Sequence, residues 1–265
     1  MTYVYPVISR RAGGVSLGVN LNPNNACNWH CAYCQVPNLV RGVSPAIDLQ
    51  LLRTELIAML EDIRHGSFMA ERVPEGCRKL CDIAISGNGE PTSCAAFDKV
   101  VSIIVEVMQQ FALSIPLRLI TNGSYVHKAH VQRGLAGMAA HHGEVWIKVD
   151  SVTDAGIQRI NGIKLDAARL GKQVEAVANT CPSWIQTCMT AWDGLPPTEH
   201  ELSSYINFLK GLKRQAIPLH GILLYGLARP SLQDEATHLS SLDEVWMQIA
   251  AECIRQSGFE VQLSV

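Results

Sequence analysis

Polar side chains recur two positions apart inside segments that otherwise read as β-strands, and this restricts the fold more than any other feature of the chain. Asn20 and Asn22 share one face of a predicted strand over residues 17–22. Asp82, Ser86 and Asn88 do so over 80–86 and its exit, and Arg118 and Asn122 over 117–121. Lys148 and Asp150 follow over 145–149, and Gln186 and Cys188 over 184–189. Residues two apart on a strand point the same way, and the opposite faces here carry Leu, Ile and Val. An open parallel sheet is covered by helices on both faces, so its strands should be almost continuously apolar. An unpaired charge against a helix layer is expensive. One polar face shared by five strands implies instead a wet lumen, with the chemistry inside and at the C-terminal strand ends.

Amphipathic segments separate these strands. Asp48 is placed to cap a helix running to residue 63, in which Leu49, Leu52, Leu56 and Leu60 keep a helical period. A second helix is expected over 96–111. Thr198 and Glu201 have capping-box spacing, and so do Ser241 and Glu244. Strands over 219–225 and 259–265 complete the series. Alternation of strand and helix predicts βα units on a parallel sheet. The reading is α/β: a single-domain, partial (β/α)6, TIM-like barrel over 17–265, preceded by an N-terminal extension over 1–16. At 265 residues, with 48% hydrophobic and 17% charged residues, the chain can bury a large core.

A formal charge of −2 and the lack of a Lys/Arg-rich run give no broad grip on nucleic-acid phosphates. Nine cysteines at irregular spacing do not form a disulfide framework and fit a reducing compartment. The first residues lack the order of a signal peptide, and apolar stretches such as 100–108 and 222–228 are too short to span a membrane. A cytoplasmic location is expected, with no membrane partner.

Cys27, Cys31 and Cys34 stand in Ala-Cys-Asn-Trp-His-Cys-Ala-Tyr-Cys-Gln, directly after the first predicted strand. A zinc knuckle would answer the first Cys pair with a second pair or with histidines, and none follows at that spacing. A cubane iron–sulfur cluster normally takes four thiolates, so three on one loop leave one iron open. Ser86-Gly87-Asn88-Gly89-Glu90-Pro91-Thr92 follows the second strand; its glycines permit close backbone approach, and Glu90 offers an acceptor to an ammonium group.

The Cys-x3-Cys-x2-Cys spacing with Tyr33 before the last cysteine resembles the cluster loop of the radical S-adenosylmethionine superfamily. That resemblance implies a [4Fe–4S] cluster on Cys27, Cys31 and Cys34, with S-adenosylmethionine on the fourth iron. Gly87, Gly89 and Glu90 resemble the superfamily's Gly-Gly-Glu motif, which holds the methionyl amino group. By the same resemblance Tyr33, Asn122, Lys148, Asp150 and Ser151 are expected to line the cofactor pocket. Cys188 is a candidate hydrogen-atom donor, and Lys148 a second candidate catalytic group.

The C-terminal third, with Arg229-Pro230-Ser231, Leu239-Ser240 and Gly258-Phe259-Glu260-Val261, is similar to the wyosine-type iron–sulfur oxidoreductase branch. The expected activity is reductive cleavage of S-adenosylmethionine to a 5′-deoxyadenosyl radical that takes hydrogen from a small molecule or nucleoside. A flavodoxin- or ferredoxin-type electron donor is implied. The alternatives are a glycyl-radical activase, a tRNA-base-modifying enzyme, and a non-catalytic iron–sulfur carrier or sensor.

Overall fold

The computed structural model describes residues 1–9 and 13–264. Residues 10–12 of the N-terminal extension, and Val265 at the end of the last predicted strand, lie outside the described residues. Eight strands form one sheet whose spatial order is their chain order. They are β1 (Val4–Ser9), β2 (Gly14–Val19), β3 (Leu80–Ile85), β4 (Leu117–Thr121), β5 (Glu144–Lys148), β6 (Ser183–Cys188), β7 (Leu219–Tyr225) and β8 (Glu260–Ser264). β1 pairs antiparallel with β2, and every later neighbour is parallel.

Helix α1 (Leu49–His65) joins β2 to β3, α2 (Phe97–Gln110) joins β3 to β4, and α3 (Ala129–Ala139) joins β4 to β5. The β5–β6 connection holds α4 (Asp154–Asn161) and α5 (Ala167–Ala178); α6 (Glu199–Arg214) and α7 (Glu244–Arg255) follow the next two strands. A doubly wound sheet reverses its strand order at a switch point. Here the order never reverses, so right-handed crossovers of one sense put the crossover helices on one face, while α4 packs against the 27–34 loop. The other face curls into a lumen, which is the partial barrel expected from the polar pattern.

The outward face of the sheet is mostly apolar, with Thr121, Ser183 and Thr187 as its buried polar residues. Leu17, Val19, Ile83, Ile85, Leu117, Leu119, Val145, Ile147, Ile185, Ile222 and Leu224 are fully buried there. Leu52, Leu56, Val100, Ile104, Leu135, Val174, Leu209 and Met247 meet them from the helices in one continuous core. Asp48 caps α1 by accepting from the Gln50 and Leu51 amides, and the Thr198–Glu201 capping box forms at α6.

Four local features differ from expectation. β2 begins at Gly14, because a Cβ there would lie 2.5 Å from the Lys79 carbonyl oxygen, so only glycine fits against β3. Asn20 and Asn22 lie beyond its end: Asn20 Oδ1 accepts from the Asn22 and Asn88 amides, a turn-forming use of the side chain that competes with a ladder. Residues 1–16 contribute β1, an edge strand in which Pro6 is tolerated; the Glu55 carboxylate pins its start by accepting from the Thr2, Tyr3 and Val4 amides at 2.6, 2.8 and 3.1 Å. The cap of α7 is Asp243, which accepts from the Trp246 amide, while Ser241 Oγ donates to the Leu227 carbonyl and caps nothing. No helix among the described residues is long and apolar enough to cross a membrane.

Candidate functional site

The lumen holds two separate polar zones. At the N-terminal end of the strands, Arg118 bridges Asp82 and Glu144, and its guanidinium lies 5.0 Å from the centroid of the Trp146 ring. Ser16 Oγ donates to Asp82, and Trp146 Nε1 donates to Glu144 Oε1 at 3.1 Å. All of these partners lie within the strands.

The C-terminal ends carry the cysteine loop, and contacts from elements distant in sequence hold that loop in place. Asn22 Nδ2 donates to the Ala26 carbonyl at 2.9 Å, Asn88 Nδ2 to Asn25 Oδ1 at 2.7 Å, and Asn122 Nδ2 to Asn28 Oδ1 at 2.9 Å. Trp29 Nε1 donates to Ser124 Oγ at 3.0 Å. From the other side, Ser231 Oγ donates to the Ala32 carbonyl at 2.6 Å, and the Leu232 amide and Gln233 Nε2 donate to the Cys34 carbonyl.

The Gly87–Gly89 turn lies directly under this loop. Gly87 has φ +141°, and a Cβ on it would meet the Asn20 side chain at 2.5 Å; one on Gly89 would sit 2.1 Å from the Ala26 carbonyl oxygen. Only glycine permits that approach. Glu90 is buried, and both its carboxylate oxygens are engaged. Oε1 accepts from the Thr92 amide and hydroxyl and from the Thr121 hydroxyl, and Oε2 accepts from the Asn122 amide at 2.7 Å. Burial raises its pKa, and these donors counter part of the rise. The geometry makes the Glu90 carboxylate a brace between the ends of β3 and β4, and makes Asn122 a strut from β4 to the loop.

Asp150, just past β5, is the hub of the upper lumen. Its Oδ1 accepts from the Cys188 amide at 2.9 Å and lies 3.6 Å from Lys148 Nζ. Its Oδ2 accepts from the Tyr33 hydroxyl and from Asn161 Nδ2, the latter at 2.8 Å. Lys148 Nζ donates to Tyr225 Oη at 2.9 Å and lies 4.9 Å from the centroid of the Tyr33 ring. Burial lowers the lysine's pKa, but the Asp150 carboxylate, the largest opposing influence, helps carry the net shift upward. Cys188 is buried beside this group, and its thiol is pushed up by burial and by Asp150. Ser151, Asp150 and Cys188 also line a cavity of about 210 Å³ completed by Met189, Trp192 and Tyr205.

Burial pushes the Cys27 thiol up to about 12 and the Cys31 thiol up to about 11, and raises Cys34. Such thiols stay protonated at neutral pH until a cation displaces the proton. No three His, Cys, Asp or Glu side chains among the described residues are arranged around a single metal ion. A cubane is bound one iron per thiolate, so its cysteines stand further apart than the ligands of one ion. The start of the loop also has an unfilled acceptor: Asn22 Oδ1, next to Gly89, is buried without a hydrogen-bond partner, where an ammonium donor would satisfy it. The donor set and this orphan fit a cluster with an amino-bearing ligand.

Sequence reasoning missed Asn161, Tyr225 and the Ser231–Gln233 clasp as parts of the site. Asn161 carries no motif of its own, Tyr225 read as the end of an apolar strand, and the clasp gave no local signal of its target.

No family model matches the chain. It is 32% identical over 157 residues to UPF0026 protein MJ1312 of Methanocaldococcus jannaschii, covering 59% of this chain and 42% of that protein. It is 28% identical over 130 residues to a GTPase Obg of Brachyspira hyodysenteriae, covering 49% of this chain and 17% of that one. The chain thus spans less than half the length of either relative, and it contains no Gly-x4-Gly-Lys-Ser/Thr phosphate loop. Among solved structures, a domain of pyruvate-formate lyase-activating enzyme from Bacteroides vulgatus aligns with TM-score 0.50 and 17% identity, over 70% of this chain and 99% of that one. Archaeal TYW1 aligns with TM-score 0.52 and 15% identity, over 93% of this chain and 72% of that one. At such identities the likeness is one of fold. In its fold as well as in its cysteine loop, the chain resembles the radical S-adenosylmethionine superfamily.

Proposed function

We propose that the chain is a radical S-adenosylmethionine enzyme acting on a small-molecule or nucleoside substrate. The observation that carries this is the three-cysteine loop clamped over the C-terminal end of a barrel lumen, with the glycine turn packed beneath it and a buried, unfilled acceptor, Asn22 Oδ1, where the loop leaves β2. Cys27, Cys31 and Cys34 hold a [4Fe–4S] cluster; together with S-adenosylmethionine it supplies, once reduced, a 5′-deoxyadenosyl radical for hydrogen abstraction.

The rest of the work belongs to the chain. Gly87 and Gly89 let the turn lie against the loop, and Asn22 Oδ1 accepts from the methionyl amino group. Glu90 braces the turn from behind. Lys148, held charged in a buried position, offers its ammonium to the cofactor's carboxylate, and Asp150 keeps Lys148 and Tyr33 in place. Ser151 lines the pocket wall. Cys188, protonated and next to Tyr225 and Lys148, is positioned to return a hydrogen atom to a substrate radical. The lumen wall excludes water and oxygen from these groups. The electron comes from a flavodoxin- or ferredoxin-type donor.

The test is anaerobic. Protein reconstituted with iron and sulfide is mixed with dithionite and S-adenosylmethionine, and 5′-deoxyadenosine is measured. Its formation, with about four irons and four sulfides per chain, is the expected result. Stoichiometric iron and sulfide without cleavage would leave a carrier or sensor in its place, and folded protein that binds neither would end the proposal.

A further inference from the structure

The C-terminus of α4 is built around one of the three cysteines. The carbonyls of Ile160 and Asn161 accept from the amides of Ala32 and His30, at 2.8 and 3.0 Å, so the two residues flanking Cys31 are bonded to the helix end. Gly162 ends the helix at φ +64°, and a Cβ on it would lie 2.7 Å from the His30 carbonyl oxygen. The Asn161 side chain, 1% exposed, then completes the grip. An amide nitrogen carries two hydrogens: Asn161 Nδ2 is 2.8 Å from Asp150 Oδ2 and 3.5 Å from Cys31 Sγ. Cys27 and Cys34 are served differently, by the backbone amides of Trp29 and of Gln35 and Val36.

We infer that Asn161 is a positioning residue for the cluster, donating one N–H to the Cys31 sulfur and the other to Asp150, so that it sets the orientation of that ligand and raises the reduction potential of the cluster. The inference rests on the cluster proposed above. A hydrogen bond to a cysteinyl sulfur draws electron density from it and favours the reduced, more negative state. Asp150 fixes the direction of the donor: with one N–H committed to a buried carboxylate, the second has only the sulfur side left. The same carboxylate holds Tyr33 and lies beside Lys148, so Asn161 joins a cluster ligand to the groups that face the cofactor.

The test compares Asn161→Leu with the wild type as full-length, anaerobically reconstituted protein without S-adenosylmethionine. Iron and sulfide content are measured first, then the midpoint potential by dye-mediated titration followed by electron paramagnetic resonance. The expected result is unchanged cluster content with a more negative potential, worth about two- to tenfold in the reduction equilibrium for one hydrogen bond. An unmoved potential in a variant with full cluster content would overturn the inference and leave the cluster proposal intact. If Asn161→Leu does not fold, Asn161→Ser, which is smaller and loses the reach to the sulfur, is judged by the same two outcomes. A wild type that binds no cluster would overturn both, and the iron and sulfide assay identifies that case before any potential is read.

Discussion

The two polar zones of the lumen arise from the same strands and the same alternation, yet they are wired differently. Asp82, Arg118 and Glu144 at the N-terminal end close on one another, with Trp146 beneath the guanidinium. Asp150 at the C-terminal end gathers donors from the cysteine loop, α4 and β6, and lies beside Lys148. The first zone is a plug whose charged groups bond only to residues of the neighbouring strands. The second joins segments that would otherwise diverge, and the loop it holds carries three thiols. Charge inside a barrel is therefore not by itself a sign of function. The telling feature is whether the charge is bonded to a loop that carries chemistry.

The largest effect expected from this contrast is on stability. Arg118→Met removes the one cation between Asp82 and Glu144 and should cost about 3–5 kcal/mol, the range for breaking a buried ion pair. Denaturant titration measures the loss, while cluster content in the folded fraction should stay at the wild-type level. Lys148→Met should behave the other way. Asp150 keeps its bonds to Tyr33, Asn161 and Cys188, which limit the cost of leaving that carboxylate without its cation to about 1–3 kcal/mol, whereas 5′-deoxyadenosine formation should fall about tenfold or more, as expected for a lost charged contact. Equal stability losses in the two variants would erase the distinction between plug and site.

The smallest effect lies outside the lumen, at Glu55, a carboxylate bonded to several donors as Asp150 is but with a purely structural task. Burial pushes its pKa up, but the amides of Thr2, Tyr3 and Val4 outweigh that and hold it below the ordinary value of 4.5. A carboxylate depressed in the folded state stabilises above its unfolded pKa, and that contribution fades as pH falls through the folded value. The β1 anchor should therefore hold at neutral pH and loosen below about pH 4. Amide exchange at Tyr3 and Val4 should speed up over that window in the wild type, and Glu55→Gln should show the faster exchange at all pH values, by about 1 kcal/mol of protection.

Much of the fold was legible because it is local. Period-two alternation placed seven of the eight strands of the sheet, and the caps at Asp48 and Thr198 work as their side chains require. β1 was missed because an edge strand with a proline has a weak signal, and its anchor, Glu55, is 51 residues from Val4. The cap of α7 was misplaced because Ser241 and Asp243 both precede the helix, and the Leu227 carbonyl, distant in sequence, takes the serine hydroxyl. Cys27, Cys31 and Cys34 stood out on spacing, since a cluster loop demands thiols close together, whereas Gly87 and Gly89 stood out through their resemblance to a known motif. The carboxylate of Glu90 read as an open acceptor, and only packing reveals the donors already on it.

By itself, then, the sequence determined the strand–helix alternation, the apolar face that meets the helices, and a cysteine spacing suited to a cluster with one open iron. Those properties follow from the periodicity of the backbone and the valence of sulfur, which act over a few residues. Only the tertiary structure decided which polar groups pair and which are left to bind. Tyr33 meets Asp150 across 117 residues, Asn161 reaches Cys31 across 130, and Ser231 meets Ala32 across 199. A buried polar group is satisfied by whatever the closed sheet brings within about 3 Å of it. That curling separates a plug bonded only within the strands at one end of the lumen from a site at the other.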